Sequence, residues 1–429
     1  MTIGPDCLRL LLGPAAGDLL AAALGGRASL PGRPRVQDVR YRPGHSVVVS
    51  YGARLRSPGR PPWADVLVAS TGVDVPEGTC VVAGDEYRVA VWTASSDPFL
   101  PGLGAVLDPR GARSVLNDLG APAGPVRAAL RSYRPGRRAV VEAEVEGGAA
   151  RLFVKVLRPS KVEALQRRHA LLSAHVPVPR SLGWAPDLGL VVLDALPGRS
   201  LRDVLAGGAD ELPGPGQVVA LLDALPPVPP SWPAPVPAAA RAREHAQLIG
   251  SVAPGLGQAA HRVADAVEAG EAGEPGDPAG LTEGTTTVHG DLHDAQLMVD
   301  GPRLLGTVDI DTVGPGRRTD DLANLVGHLA TLAAASPAHQ RAHSYGQAVL
   351  DVADGLVDPY RLRLATAATV LGLATGPFRV QERGWPAAVA HRVSLAEAWA
   401  ASARALRPRA EGERDLIAAS PPANPRQGS

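Results

Sequence analysis

Apolar positions along the chain recur with two periods. Between 8 and 24 they follow the spacing of a moderately amphipathic helix, which Gly25-Gly26 closes. Alternating or continuous apolar runs then come at 47–51, 65–69, 79–83 and 87–92 with Gly/Pro turns between them, and these predict a small antiparallel sheet. A second set of strands is expected at 126–133, 138–144 and 151–157, followed by a helix over 161–175 and two more apolar runs at 180–184 and 188–196. Beyond 199 the helical period dominates. A short helix is expected at 217–225 inside a Pro/Gly-rich stretch, then a long amphipathic pattern at 238–268 broken at Pro254-Gly255, and helices at about 337–353, 359–373 and 385–406. One β-rich interruption stands out. A β-branched run at 285–288 ends before Gly290, and apolar runs at 296–299 and 304–310 form a hairpin turned by Asp300-Gly301-Pro302. The tail 407–429 is rich in Pro, Ala and charge and is expected to be disordered.

This order predicts an α+β protein with four parts: an N-terminal α+β region (1–122), a strand-rich unit (123–198), a helical unit (199–406) and the tail. Tyr41-Arg42-Pro43-Gly44-His45-Ser46-Val47-Val48-Val49 is echoed by Tyr133-Arg134-Pro135-Gly136-Arg137-Arg138-Ala139-Val140-Val141. Two readings fit that echo: a repeated strand–turn–strand unit, or convergence of two hairpin turns.

A length of 429 residues suggests two or three domains and ample core. Lys+Arg and Asp+Glu are both 43, so net charge points to neither nucleic acid nor membrane as a partner. Two cysteines, Cys7 and Cys80, make no disulfide or metal framework. No signal peptide or membrane span is evident, and a cytoplasmic location is expected. Arginine supplies nearly all the basic charge, since Lys155 and Lys161 are the only lysines. With Ala, Gly, Pro and Arg so abundant, a GC-rich genome is implied, and a lysine kept against that bias points to a need for a compact ammonium. Lys155 lies in the apolar strand Leu152-Phe153-Val154-Lys155-Val156-Leu157, where a charge is not ordinary core.

The hairpin carries the candidate chemistry. His289-Gly290-Asp291-Leu292-His293 is followed by Gln296 and then by Val308-Asp309-Ile310-Asp311. Asp291, Gln296 and Asp309 are three oxygen-bearing side chains near one turn, and magnesium takes oxygen from carboxylates, amides and substrate phosphates. A carboxylate that stays off the metal can take the proton of an attacking hydroxyl.

These segments resemble the catalytic and metal segments of the aminoglycoside phosphotransferase and choline kinase-like superfamily. The resemblance covers about 123–406 and is most specific at 287–323. It implies a bilobal protein kinase-like fold, with an antiparallel-sheet N-lobe and a mainly helical C-lobe preceded here by the extra α+β region. That region then resembles a degenerate N-lobe, or a cap like that of maltokinases. The implied activity is transfer of the γ-phosphate of ATP, with Mg2+, to a hydroxyl of a small molecule: an aminoglycoside, a sugar or an amino alcohol. Asp291 would orient that hydroxyl and take its proton, and Gln296 and Asp309 would hold magnesium. The family usually has Asn where this chain has Gln296, a substitution that maltokinases share. Lys155 would steady the phosphates under the turn at 134–138, where Arg137 is a further candidate contact. Backbone groups of Ala195 and Leu196 would meet the adenine. Either His169 or Glu163 stands where the family has the glutamate partner of the lysine. Asp321, in Thr319-Asp320-Asp321-Leu322-Ala323, would brace the catalytic loop, while Thr319 or Asp320 caps the helix that follows.

Other readings fit parts of the pattern. The uncertain lysine partner and Gln296 suit a pseudokinase that binds nucleotide without transfer. His289, Asp291 and His293 make a partial zinc set, as in a metallohydrolase. Asp311 suits a second metal contact or an exposed loop. The acidic run Asp265, Glu268, Glu271, Glu274, Asp277 and Glu283 would attract a cationic acceptor, or is a solvated loop.

Overall fold

The computed structural model describes residues 5–84, 87–121, 124–145, 150–207, 211–272, 283–335 and 340–406. The tail expected to be disordered lies outside the described residues, as do Glu274 and Asp277.

Two antiparallel sheets come first. β1 (Arg35–Arg42), β2 (Ser46–Ser57), β3 (Arg60–Thr71), β4 (Cys80–Ala83) and β5 (Arg88–Thr93) form one, in the order β1-β2-β3-β5-β4. β6 (Val126–Arg134), β7 (Arg138–Val145), β8 (Ala150–Leu157), β9 (Ser181–Ala185) and β10 (Leu190–Asp194) form the other, in the order β6-β7-β8-β10-β9. The echoed Arg-Pro-Gly segments occupy the same place in both, turning the first strand into the second, with Gly44 at φ 77° and Gly136 at φ 65°. In the second sheet Val140 pairs with Lys155, and in the first Val48 pairs with Ser70. Register therefore puts Ser70 where the second sheet has its lysine. The second sheet also has the helix Pro159–Leu172 between β8 and β9, whereas only turns connect β3 to β4.

Side chains alternate across a strand, and that alternation decides where Lys155 points. Val154 and Val156 go into the core with Leu103, Val106 and Leu116 from the helices Leu103–Leu107 and Pro109–Asp118. Lys155 and its partner Val191 take the opposite face, where Val162 and Leu165 of Pro159–Leu172 pack on Val191 and Leu193.

The remainder is mainly helical. β11 (Arg199–Ser200), β13 (Leu297–Asp300) and β14 (Arg303–Thr307) make a small sheet, and β12 (Thr286–Val288) pairs with β15 (Gly314–Gly316). Leu292, Leu297, Val299 and Ile310 bury this hairpin among helices that include Arg318–Ala335 and Gln340–Asp354. The first sheet shares a core with distant helices: Tyr51 and Leu67 lie in one cluster with Ile249, Val370 and Val393.

Three boundaries differ from those that periodicity predicts. The expected helix 8–24 is two, Pro5–Leu12 and Ala16–Leu24, because Gly13-Pro14 interrupts it. The second hairpin strand ends at Thr307, since Asp309 is left-handed at φ 59°. Arg318–Ala335 begins before both expected caps, and Glu283 takes the capping role by accepting Thr319 N at 2.7 Å. No single helix among the described residues is long and apolar enough to cross a membrane.

Candidate active site

The loop between β12 and β13 is held from behind by one carboxylate. Asp321 is buried at the start of Arg318–Ala335 and accepts His289 N at 2.6 Å and Gly290 N at 2.8 Å. Gly290 has φ 79°, and a Cβ there would lie 2.6 Å from Pro235 and 2.8 Å from the Thr312 carbonyl, so only glycine fits the turn. His289 is fully buried, and its Nε2 lies 3.1 Å from both the Val308 carbonyl and Thr307 Oγ1. Asn324 donates to the Leu292 carbonyl at 2.9 Å. The next stretch is pinned by Asp294, whose two oxygens accept Arg202 Nε and Nη2 at 2.8 Å each.

These fixings bring the expected oxygen donors together. Gln296 Nε2 donates to Asp291 Oδ2 at 3.4 Å, and Gln296 Oε1 is buried with no hydrogen-bond partner. An orphaned carbonyl oxygen beside a carboxylate is what a hard cation would satisfy, so the donor set fits magnesium. Burial, with Asp309 nearby, raises the Asp291 carboxyl above its ordinary value, while Arg134, Gln296 and Arg138 pull it down.

Lys155 reaches this cluster from the second sheet. Its ammonium donates to Asp309 Oδ1 at 2.7 Å and to Asp311 Oδ1, and Arg138 donates to Asp311 at 2.9 Å and to Asp309 at 3.3 Å. Burial opposes the Lys155 charge, but Asp311 and Asp309 outweigh it and raise its pKa. Burial likewise opposes charge on Asp309, yet Lys155 and Arg138 hold its carboxyl well below the ordinary carboxylate range. Holding Asp309 left-handed costs roughly 1 kcal/mol, and aspartate tolerates that region better than most residues.

Neither expected partner holds the lysine. Glu163 is exposed and bonds Arg167 one turn away. His169 is buried, donates from Nδ1 to the Pro179 carbonyl at 2.7 Å, and burial beside Lys155 pushes it down to about 4, so it is neutral. Asp311, open in sequence between a metal contact and an exposed loop, is a half-buried ion-pair partner.

The structure brings Lys155, Asp291, Gln296 and Asp309 to one place, and it does not bring Arg137 there. Arg137 is exposed at the turn, and Arg138 is the arginine that meets the carboxylates. Strand pairing would have revealed this, because Arg138 lies two residues before Val140, the partner of Lys155. Ala195 and Leu196 lie half-buried immediately after β10. Asp97 carries no signal in the sequence. It is buried behind the turn, accepting Tyr133 Oη at 2.7 Å and Gly136 N at 2.8 Å with one oxygen and Phe99 N at 2.8 Å with the other.

The zinc alternative from His289, Asp291 and His293 is not assembled. Among the described residues the ligand atoms that approach one another belong to His293, Asp294 and His328, within 4.8 Å. There the Arg202 guanidinium occupies both Asp294 oxygens, and a cation would meet that charge. The two imidazoles stack at 4.4 Å, and burial pushes them down to about 4 and about 3. The described members of the acidic run are also engaged: Arg243 pairs with Asp265 and Glu268, Arg317 with Glu271, and Glu283 caps Thr319.

The model of the phosphotransferase enzyme family (APH) matches residues 131–356, more than half of the chain. The chain belongs to that family. The chain has the expected protein kinase-like α+β architecture, with its sheet-rich part ahead of its helical part. Among solved structures it is similar to macrolide 2'-phosphotransferase MphH from Brachybacterium faecium, at 17% identity and TM-score 0.40, covering 67% of this chain and 97% of that one. It is also similar to an aminoglycoside phosphotransferase from Streptomyces rimosus, at 17% identity and TM-score 0.41, covering 61% and 95% respectively. Among curated proteins no match is found.

Proposed function

We propose that the protein transfers the γ-phosphate of ATP to a hydroxyl of a small molecule. The observation that carries this is the meeting of Lys155 with Asp309 at 2.7 Å across 154 positions, beside a loop that presents Asp291 and Gln296. Such transfer needs little covalent help from the protein, and catalysis is positioning plus charge neutralisation. Asp291 accepts the proton of the acceptor hydroxyl, and its burial suits a base whose pKa has been lifted toward working pH. Gln296 and Asp309 hold Mg2+, which neutralises phosphate charge when bound. Lys155 is a point charge for the phosphates, and Arg138 takes the part that the sequence assigned to Arg137. Backbone groups of Ala195 and Leu196 meet the adenine edge.

In this proposal residues 123–198 are the nucleotide-binding N-lobe and 199–406 the catalytic C-lobe. Residues 1–122 are an N-lobe-like region without the lysine, consistent with Ser70 in its register position. That region bears on catalysis through Asp97, which steadies the turn above the phosphates.

An ADP-release screen over hydroxyl acceptors, run with wild type and Asp291→Asn in parallel, tests the assignment. Turnover that disappears in the variant supports it, and equal turnover by both refutes the role given to Asp291. A pseudokinase draws support from the ion pairs that tie Lys155 to Asp309 and Asp311 in place of a helix glutamate. Magnesium-dependent ATP binding without turnover on any acceptor would favour that reading.

A further inference from the structure

The helix Pro159–Leu172 supplies no partner for Lys155, yet one of its charges reaches the turn that carries the carboxylates. Arg168 is buried, and its Nε donates to the Val313 carbonyl at 3.2 Å. Val313 N in turn donates to the Ile310 carbonyl at 3.2 Å, closing the turn Ile310–Thr312 ahead of β15. That turn contains Asp311 and is anchored in the helical core through Ile310. Asp309 precedes it at φ 59°, a conformation that persists only where its surroundings enforce it.

The Arg168 guanidinium also lies over the ring of Trp232, 4.9 Å from its centroid. Trp232 belongs to the stretch from Pro226 to Pro235, where six of ten residues are proline, so the backbone that carries the ring is stiff. This strap is fastened to the segments around the catalytic loop. The Pro226 carbonyl accepts Thr287 Oγ1 at 2.8 Å, and Pro235 lies against Gly290. A Cβ at Gly314 would lie 2.5 Å from the Pro233 carbonyl, so the strap passes close over the start of β15. Arg168 therefore joins three parts of the chain: its own helix, the strap and the turn behind Asp309. It pairs with no carboxylate among the described residues. Burial opposes its charge, and Asp311 favours it. A buried guanidinium without a paired carboxylate costs stability that an apolar side chain would not. What it gains here is a charge-assisted bond to the turn and a ring to rest on.

We propose that Arg168, seated on Trp232, is a positioning residue for the metal site, holding the turn that sets Asp309 and Asp311. This rests on the phosphotransferase reading above. Groups that orient a metal ligand without touching the metal typically change affinity about 10–100-fold when removed. The test is thermal unfolding of the full chain at fixed AMP-PNP, titrated with Mg2+, for wild type, Arg168→Met and Trp232→Ala. Mg2+ raises the melting midpoint of wild type. In Arg168→Met the Mg2+ concentration at half effect rises roughly tenfold, and in Trp232→Ala it rises in the same direction by less. The sign separates positioning from charge, because losing a cation near Asp311 would by itself tighten Mg2+. It also separates positioning from packing, because a loss of stability without Mg2+ leaves the half-effect concentration where it was. An Mg2+ requirement in Arg168→Met equal to or below that of wild type overturns the proposal. If Arg168→Met does not fold, Trp232→Ala decides by the same comparison. If Mg2+ with AMP-PNP fails to stabilise wild type, the phosphotransferase reading falls and this inference with it. Stabilisation of wild type with unshifted variants removes this inference alone.

Discussion

Replacing Asp321 by Asn removes one titrating group from behind the His289–Gly290 loop, and its consequence can be worked from the structure. Asp321 is 1% exposed and accepts two backbone N–H groups, at 2.6 and 2.8 Å. Burial pushes its carboxyl from 3.8 up to about 7, against those two bonds and Arg318, which favour the charged form. A raised folded pKa means that the folded chain holds the proton more tightly than the unfolded chain. The group's contribution to stability is therefore fully present below about pH 4 and is lost as pH rises through about 7. Between pH 5 and pH 8 the loss comes to roughly 2–3 kcal/mol by proton linkage. Asp321→Asn keeps one carbonyl acceptor for the loop amides and cannot titrate, so this dependence vanishes. The assay is denaturant unfolding of both proteins from pH 5 to pH 8, following the difference in unfolding free energy so that other titrating groups cancel. Wild type should lose roughly 2–3 kcal/mol relative to the variant over that interval. Parallel curves, or wild type gaining on the variant as pH rises, would show that the two N–H bonds outweigh burial and keep the carboxylate charged throughout.

Other consequences follow from the same contacts. Asp97→Ala removes three accepted hydrogen bonds and leaves the Gly136 amide without its partner, which should cost roughly 2–4 kcal/mol; KM for ATP should rise more than kcat falls, as steady-state kinetics would reveal. Lys155→Met should lower kcat/KM at least roughly 100-fold by ADP release, and Lys155→Arg should not restore it, because a planar guanidinium cannot replace an ammonium shared by two carboxylates. Arg202→Ala strips the fully buried Asp294 of its bidentate partner and should lower stability by roughly 3 kcal/mol in chemical denaturation, whereas adding Asp294→Ala in the same chain should recover part of that loss. Gln296→Leu removes the orphaned amide oxygen and should raise the magnesium concentration for half-maximal turnover by tenfold or more, while Gln296→Asn should restore most of it.

Much of this molecule is written locally. Apolar periodicity decides that 359–374 and 385–406 are helices and that 297–307 is a hairpin, because those patterns need only neighbours in sequence. The spacing of Asp291, Gln296 and Asp309 carries the chemistry of the loop for the same reason: one turn delivers all three. Lys155 is legible as an anomaly, a charge in an apolar strand of a chain with two lysines. Pairings between distant segments are not written that way. That Lys155 meets Asp309 and Asp311, and neither His169 nor Glu163, depends on how a sheet face closes over a hairpin some 154 positions away. That Arg138 and not Arg137 meets Asp309 and Asp311 depends on which residue pairs with β8, and a shift of one position would exchange them. Asp97 behind the turn, and Asp38 reaching Arg379 across 341 positions, have no local signature, because an isolated aspartate is chemically the same wherever its partners lie. The residue types determine what chemistry is available. Only the closure of two sheets and a helical lobe on one another decides which charges meet and which are left for a ligand.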